Sequence, residues 1–231
     1  METLAAPAAP APSTARTLAL GAAIGPALFT LSWLALGFIS TGYTLFDHTF
    51  TEYSPISQPI SGLGIGSTAP YMNAAFIVTG LILIVGILGV FRTIGSTARP
   101  ALRRASLILL AGTGVGQVIC GVFTLEAMMP HLLGFLLALG LPVVSFVVAG
   151  RYLRRVPGWE RFGTWLMTLG SPLTFVLLAA FFVTFEPTAD GAEHGVAGLV
   201  QRVGVIAVHA WFVALGWLAY RRGPQRLTAG T

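Results

Sequence analysis

The chain has 231 residues, is 55% hydrophobic and only 9% charged, and carries a formal net charge of +5 with a mean hydropathy of +0.82. A soluble fold of this size could not hide that much apolar surface, which excludes a water-soluble enzyme and makes the basic charge a poor match for nucleic-acid binding. All thirteen basic residues are arginine, and their placement carries the topology.

The first fifteen residues are Ala/Pro-rich without periodicity and read as a cytoplasmic tail lacking fixed structure, so residues 1–16 are set apart from a membrane domain at 17–221 and a second tail at 222–231. A helix needs about 20 apolar residues to cross the roughly 30 Å hydrocarbon core. Six segments meet that length, at residues 18–39, 71–91, 106–124, 131–150, 162–185 and 198–220. The first is longer than a signal-peptide core and lacks a small-residue cleavage site, so it counts as a span. Gly21 with Gly25, Gly86 with Gly89, and Gly112 with Gly114 and Gly116 should let neighbouring helices approach closely within one bundle. Pro26, Pro142 and Pro172 fall inside spans, where each removes a backbone donor and should kink the helix. Cys120 stands alone in span three and cannot form an intramolecular disulfide.

Arginines occupy alternate gaps. Arg16 precedes span one; Arg92, Arg99, Arg103 and Arg104 lie between two and three; Arg151, Arg154, Arg155 and Arg161 lie between four and five; Arg221, Arg222 and Arg226 follow six. Such asymmetry puts both termini in the cytoplasm of a multi-pass plasma-membrane protein. A reporter active only outside the cytoplasm should work when inserted near Asp47 and stay silent when fused after Arg226; the reverse pattern would overturn this orientation.

The outer connections are acidic. The first, residues 40–70, has no basic residue and carries Ile56, Ile60, Leu63 and Ile65 among prolines and glycines, which suggests an ordered segment lying on the bundle top. Asp47, Glu52, Glu126, Glu186, Asp190 and Glu193 face outward, with His48, His131 and His194. Asn73 and Gln117 lie in the outer halves of spans two and three, and His209 lies near the middle of span six. Arg202, about one turn below the outer end of span six, breaks the arginine asymmetry. A guanidinium in hydrocarbon is costly, about 2.5–3.5 kcal/mol at a helix centre. Arg202 is therefore expected to pair with Glu126, or with Asp47 or Glu52, or else to hold a ligand anion. No pair of His and acid has zinc-type spacing, so neither metal nor cofactor is expected. Ser54, Ser57 and Ser61 read as exposed loop serines without a G-x-S-x-G elbow or an identifiable base.

Three local patterns together resemble the prokaryotic six-helix membrane-protein family catalogued as domain of unknown function 998. They are Y-S-P-I-S-Q-P-I-S-G-L-G at residues 53–64, G-V-F-T-L-E-x-x-x-P-H at 121–131, and G-L-V-Q-R at 198–202 followed by Trp211. The resemblance spans about residues 18–220 and implies a six-helix membrane protein without an assigned activity. Carried over residue by residue, it marks Ser57, Pro59, Ser61, Gly64, Glu126, His131, Gln201 and Arg202. Members typically have Pro after the Phe and Asp where Glu126 stands, so this chain departs from the pattern there.

The expected protein is all-α, a polytopic bundle of six transmembrane helices with an outward-facing polar vestibule. Ser57, Ser61, Gln117, Glu126, His131, Gln201 and Arg202 are the candidate ligand-binding residues. A lipid headgroup or small anion is the expected ligand, membrane lipids are the expected partners, and the oligomeric state is left open. The alternatives are an outer-face hydrolase built on Glu126 and His131, and a secondary transporter.

Overall fold

The structure, a computed structural model, describes residues 13–94, 99–186 and 194–222. Six of its helices are long and apolar enough to cross a membrane: Thr14–Ile39, Gly66–Thr93, Pro100–Val122, Met128–Leu153, Glu160–Thr184 and Ala197–Arg222. These are spans one to six of an all-helical membrane protein. Several helices run past the expected limits, because hydropathy marks only the hydrocarbon-crossing part while backbone hydrogen bonding continues to the next break. Span three begins at Pro100, in the first turn, where a missing N–H costs nothing.

Consecutive spans are antiparallel and meet through small residues. A Cβ on Gly21 would come 2.7 Å from the Ile82 carbonyl of span two, and one on Gly80 would come 2.7 Å from the Gly114 carbonyl of span three. Only glycine, with a second hydrogen where other residues carry Cβ, permits such approaches, and lipid supplies no hydrophobic force that could replace the contact. The glycines of spans one to three thus face their neighbours inside the bundle. Span six returns beside span one, where the Arg16 guanidinium donates to the Tyr220 carbonyl at 2.9 and 2.8 Å. Both described chain ends and the arginine-rich connections therefore share one end of the bundle.

Pro142 and Pro172 are each preceded by one wide turn, Leu136–Gly140 in span four and Leu166–Gly170 in span five. Proline offers no N–H to the turn before it, and a π-type turn absorbs the mismatch. Pro26 needs no such turn; its carbonyl instead accepts the Thr30 hydroxyl at 2.9 Å.

Two apolar cores fill the interior. One, around Leu83, Phe91, Phe146, Tyr152 and Phe212, lies toward the chain ends. The other, around Phe29, Trp33, Tyr53, Leu63, Phe76 and Phe181, includes the first connection. That connection is ordered. It forms an antiparallel hairpin, Tyr43–Leu45 with His48–Phe50, a local β element that the all-helical reading did not contain. The turn places Phe46 and Asp47 at positive φ, as a two-residue hairpin turn requires. Two 3-10 helices follow, Ile60–Gly64 and Gly66–Thr68. Ile60, Leu63 and Ile65 are buried as expected, whereas Ile56 is 55% exposed. Asp190, Glu193, Arg226 and most of the two expected tails lie outside the described residues.

Candidate functional site

The three sequence patterns converge on the 3-10 helix Ile60–Gly64. From one side, the start of span six is tied to the first connection. The Gly198 and Leu199 N–H groups donate to the Ser57 and Ile56 carbonyls at 3.2 and 2.8 Å, so free donors at a helix start are satisfied by loop backbone. Gly198 is required for that seam, since a Cβ there would sit 2.2 Å from the Gln58 oxygen. Gln201 is buried, and its Oε1 accepts the Ile60 N–H at 2.7 Å.

Arg202 is buried beside this seam. Its Nη1 donates to the Gln58 and Gly198 carbonyls at 2.9 and 2.8 Å, and its Nη2 donates to the Tyr53 hydroxyl. The guanidinium carbon lies 5.4 Å from the Trp33 ring centre and 5.6 Å from that of Tyr53, within cation–π range. Tyr53 passes its own proton to the Pro59 carbonyl at 3.0 Å. Burial pushes the Tyr53 phenol up to about 12, against the opposing pull of the Arg202 charge, so it remains neutral. The expected pairing of Arg202 with Glu126, Asp47 or Glu52 is therefore corrected: neutral dipoles and aromatic faces hold the cation. Glu126 is exposed and accepts the Thr124 hydroxyl at 3.1 Å. The tight turn that brings Phe123 back toward His131 leaves the Glu126 side chain outside.

From the opposite side comes His131, buried in the first turn of span four. Its Nδ1 lies 2.6 Å from the Phe123 carbonyl and its Nε2 lies 2.8 Å from Ser61 Oγ. Ser57 and Ser61 are both buried, which corrects their reading as exposed loop serines. Ile60 and Leu63 pull the segment down onto the spans, and the serines go with it. Ser61 faces an imidazole that sequence spacing could not reveal, seventy positions away.

Beneath the 3-10 helix lies a small cavity of about 40 Å3. One water needs about 10–15 Å3, so two or three fit. Ser61, Thr113, Gln117, Gln201 and His209 supply its polar lining, and Phe29, Phe76 and Phe135 contribute to its apolar wall. Gln117 spends its NH2 on Thr79 Oγ1 at 2.5 Å and keeps its oxygen as an acceptor. Thr30 gives its proton to the Pro26 carbonyl, so the 3.1 Å contact with His209 makes Nδ1–H the donor and leaves Nε2 as an acceptor. Thr113 Oγ1 is buried without a hydrogen-bond partner. Arg202 and Glu126 do not line this cavity.

A second, narrower slot of about 10 Å3 adjoins it. Leu177, Leu178, Phe181, Val200, Gly204 and Val208 of spans five and six form most of its wall, and Leu139 and Gln201 border both spaces. Among the candidates, the structure thus gathers Ser61, Gln117 and Gln201 at one cavity, with His131 behind Ser61. It places Ser57 and Arg202 in the seam and Glu126 at the surface. Thr113 and Tyr53 were missed, and Tyr53 carried a signal, its place in the first pattern; His209 was noted for its mid-span position but not counted among the candidates. Among the described residues no three His, Cys, Asp or Glu side chains come together as metal ligands would.

Comparison with known proteins returns one family model, described as "Protein of unknown function (DUF998)", which matches residues 23–218. The match covers most of the chain, and the chain belongs to that family. No curated protein and no solved structure matches it.

Proposed function

We propose that this member of the DUF998 family binds a lipid-type amphiphile, with an uncharged hydrogen-bonding group of its head reaching the small cavity and its hydrocarbon chain lying against spans five and six at the adjoining slot. The observation that supports this reading is the adjacency of the two spaces, which share Leu139 and Gln201 in their walls. Five polar side chains punctuate the apolar wall of the first and mainly aliphatic ones line the second, a gradient that suits an amphiphile. The head-group preference follows from the lining. Gln201 and Thr113 can donate, Gln117 and His209 can accept, and no charged side chain enters. Ester, amide and hydroxyl groups meet those partners without the desolvation cost of a charge.

The small-anion reading depended on Arg202, whose guanidinium is committed to the seam. Binding is favoured over passage, because Leu83, Phe91, Phe146, Tyr152 and Phe212 close the interior toward the chain ends. In the cell, the site would open toward the outer leaflet of the plasma membrane, with both termini cytoplasmic and the first connection as its cover.

Native mass spectrometry of the protein purified in mild detergent should reveal a retained lipid. Gly204→Leu should reduce that retention about tenfold or more while leaving the fold intact. A Cβ at Gly204 meets only Leu177 Cβ at 3.7 Å, so the longer side chain enters the slot rather than the backbone. Equal retention by both proteins would exclude the slot as the chain-binding site.

A further inference from the structure

We propose that Ser61 and His131 form a nucleophile–base pair that cleaves an acyl ester whose carbonyl reaches the cavity. This rests on the amphiphile-binding reading for the substrate, but its chemistry stands on separate geometry.

A carbonyl oxygen can only accept. The 2.6 Å contact between His131 Nδ1 and the Phe123 carbonyl therefore places the ring proton on Nδ1. Nε2 then carries the lone pair, and at 2.8 Å Ser61 Oγ must be the donor. A serine hydroxyl directed at a basic nitrogen, with the other nitrogen oriented by an acceptor, is the arrangement nucleophilic catalysis needs. The Phe123 carbonyl takes the orienting place that a carboxylate holds in a Ser–His–Asp triad, and its dipole favours the imidazolium that forms.

The serine is also held in place. Its 3-10 helix is fixed by the Ile60–Gln201 bond and by the Thr68 hydroxyl on the Leu63 carbonyl at 2.8 Å. Gln201 has its oxygen committed to the neighbouring Ile60 N–H, so its NH2 is the end left to donate. It lines the same cavity as Ser61 and can meet the negative charge that develops on an ester oxygen.

In the first step the Ser61 oxygen attacks the ester carbonyl, His131 Nε2 takes the hydroxyl proton, and the ester C–O bond breaks. The same proton passes from Nε2 to the departing alcohol. In the second step water attacks the acyl-serine and gives a proton to Nε2. The proton returns to Ser61 Oγ as the carboxylic acid leaves.

A buried Ser–His hydrogen bond can equally serve only to fasten the first connection to span four. The full-length protein in detergent separates the two roles, with an alkyl fluorophosphonate as the serine-reactive probe and p-nitrophenyl butyrate and laurate as esters. The proposal expects the phosphonyl adduct on Ser61, located by peptide mass spectrometry, and turnover of at least one ester. Ser61→Ala should abolish both, and His131→Gln should lower turnover about 100-fold or more. Thermal unfolding of each variant identifies any that fail to fold. If only the alanine variant fails, Ser61→Gly replaces it; if only His131→Gln fails, His131→Asn replaces it. Folded wild-type protein that takes no label at Ser61 and turns over neither ester overturns the proposal. So does turnover that survives in a folded Ser61 variant. Lipid retention without turnover removes this inference and leaves the binding reading. Ester turnover without lipid retention does the opposite.

Discussion

Replacing Arg202 with alanine should destabilise the folded protein by about 3 kcal/mol or more and open the segment around residues 52–60 to protease. Three hydrogen bonds from one cation end on the Gln58 and Gly198 carbonyls and the Tyr53 hydroxyl. A hydrogen bond to a charged group contributes about 1.5–3 kcal/mol, and loss of the guanidinium also removes its stacking on Trp33. The contributions do not simply add, because the three bonds hold one seam. Arg202→Lys should rescue little, since one ammonium cannot reproduce the planar fork that reaches both carbonyls and the phenol. Glu126→Gln should stay within about 0.5 kcal/mol of wild type, as exposed positions without a buried partner usually do. Thermal unfolding in detergent with limited proteolysis reads all three. A large loss with Glu126→Gln that is not additive with Arg202→Ala would restore an ion pair between them.

Gly86→Ala should also destabilise the bundle. A Cβ there would sit 1.9 Å from the Ala22 nitrogen and 2.3 Å from the Gly21 carbonyl carbon, so it meets backbone rather than a side chain that could turn away. Spans one and two would have to separate along the seam where Gly21, Gly25, Gly86 and Gly89 interlock. Overpacking of this kind costs about 1–3 kcal/mol and sometimes more. The small-residue seam has no hydrophobic force to recover contact once it opens. Gly204→Ala, whose Cβ would make only an ordinary 3.7 Å contact, should be near neutral in the same thermal assay. Equal behaviour of the two variants would show that the close approach does not hold the bundle together.

Much of the architecture was legible in the linear chain because a bilayer reduces folding to a few one-dimensional rules. Length and hydropathy specify six crossings, prolines at 142 and 172 mark where helical hydrogen bonding must give way, and glycines mark where helices touch. The burial of Ile60, Leu63 and Ile65 was legible too, since apolar residues in a connection need a surface to cover. The local hairpin at Tyr43–Phe50 was not read, because it is too short to stand out against its turn-forming neighbours.

For the site, polar residue types and approximate depth were available from sequence, and they directed attention to Ser61, Gln117, His131, Gln201 and Arg202. Their partners were not available. Charge pairing is the cheapest assumption for a buried arginine, but Arg202 lies where backbone carbonyls of the loop end, and neutral oxygens reach it first. Glu126 has the right type and the wrong direction, turned outward by the turn that brings the Phe123 carbonyl to His131. Ser61 and His131 are joined only after spans two and three fold back and bring positions seventy apart to 2.8 Å. Hydropathy and spacing determine which segments cross and which polar groups must find shelter. The choice of shelter is made by side-chain directions and backbone ends that converge only in the packed bundle.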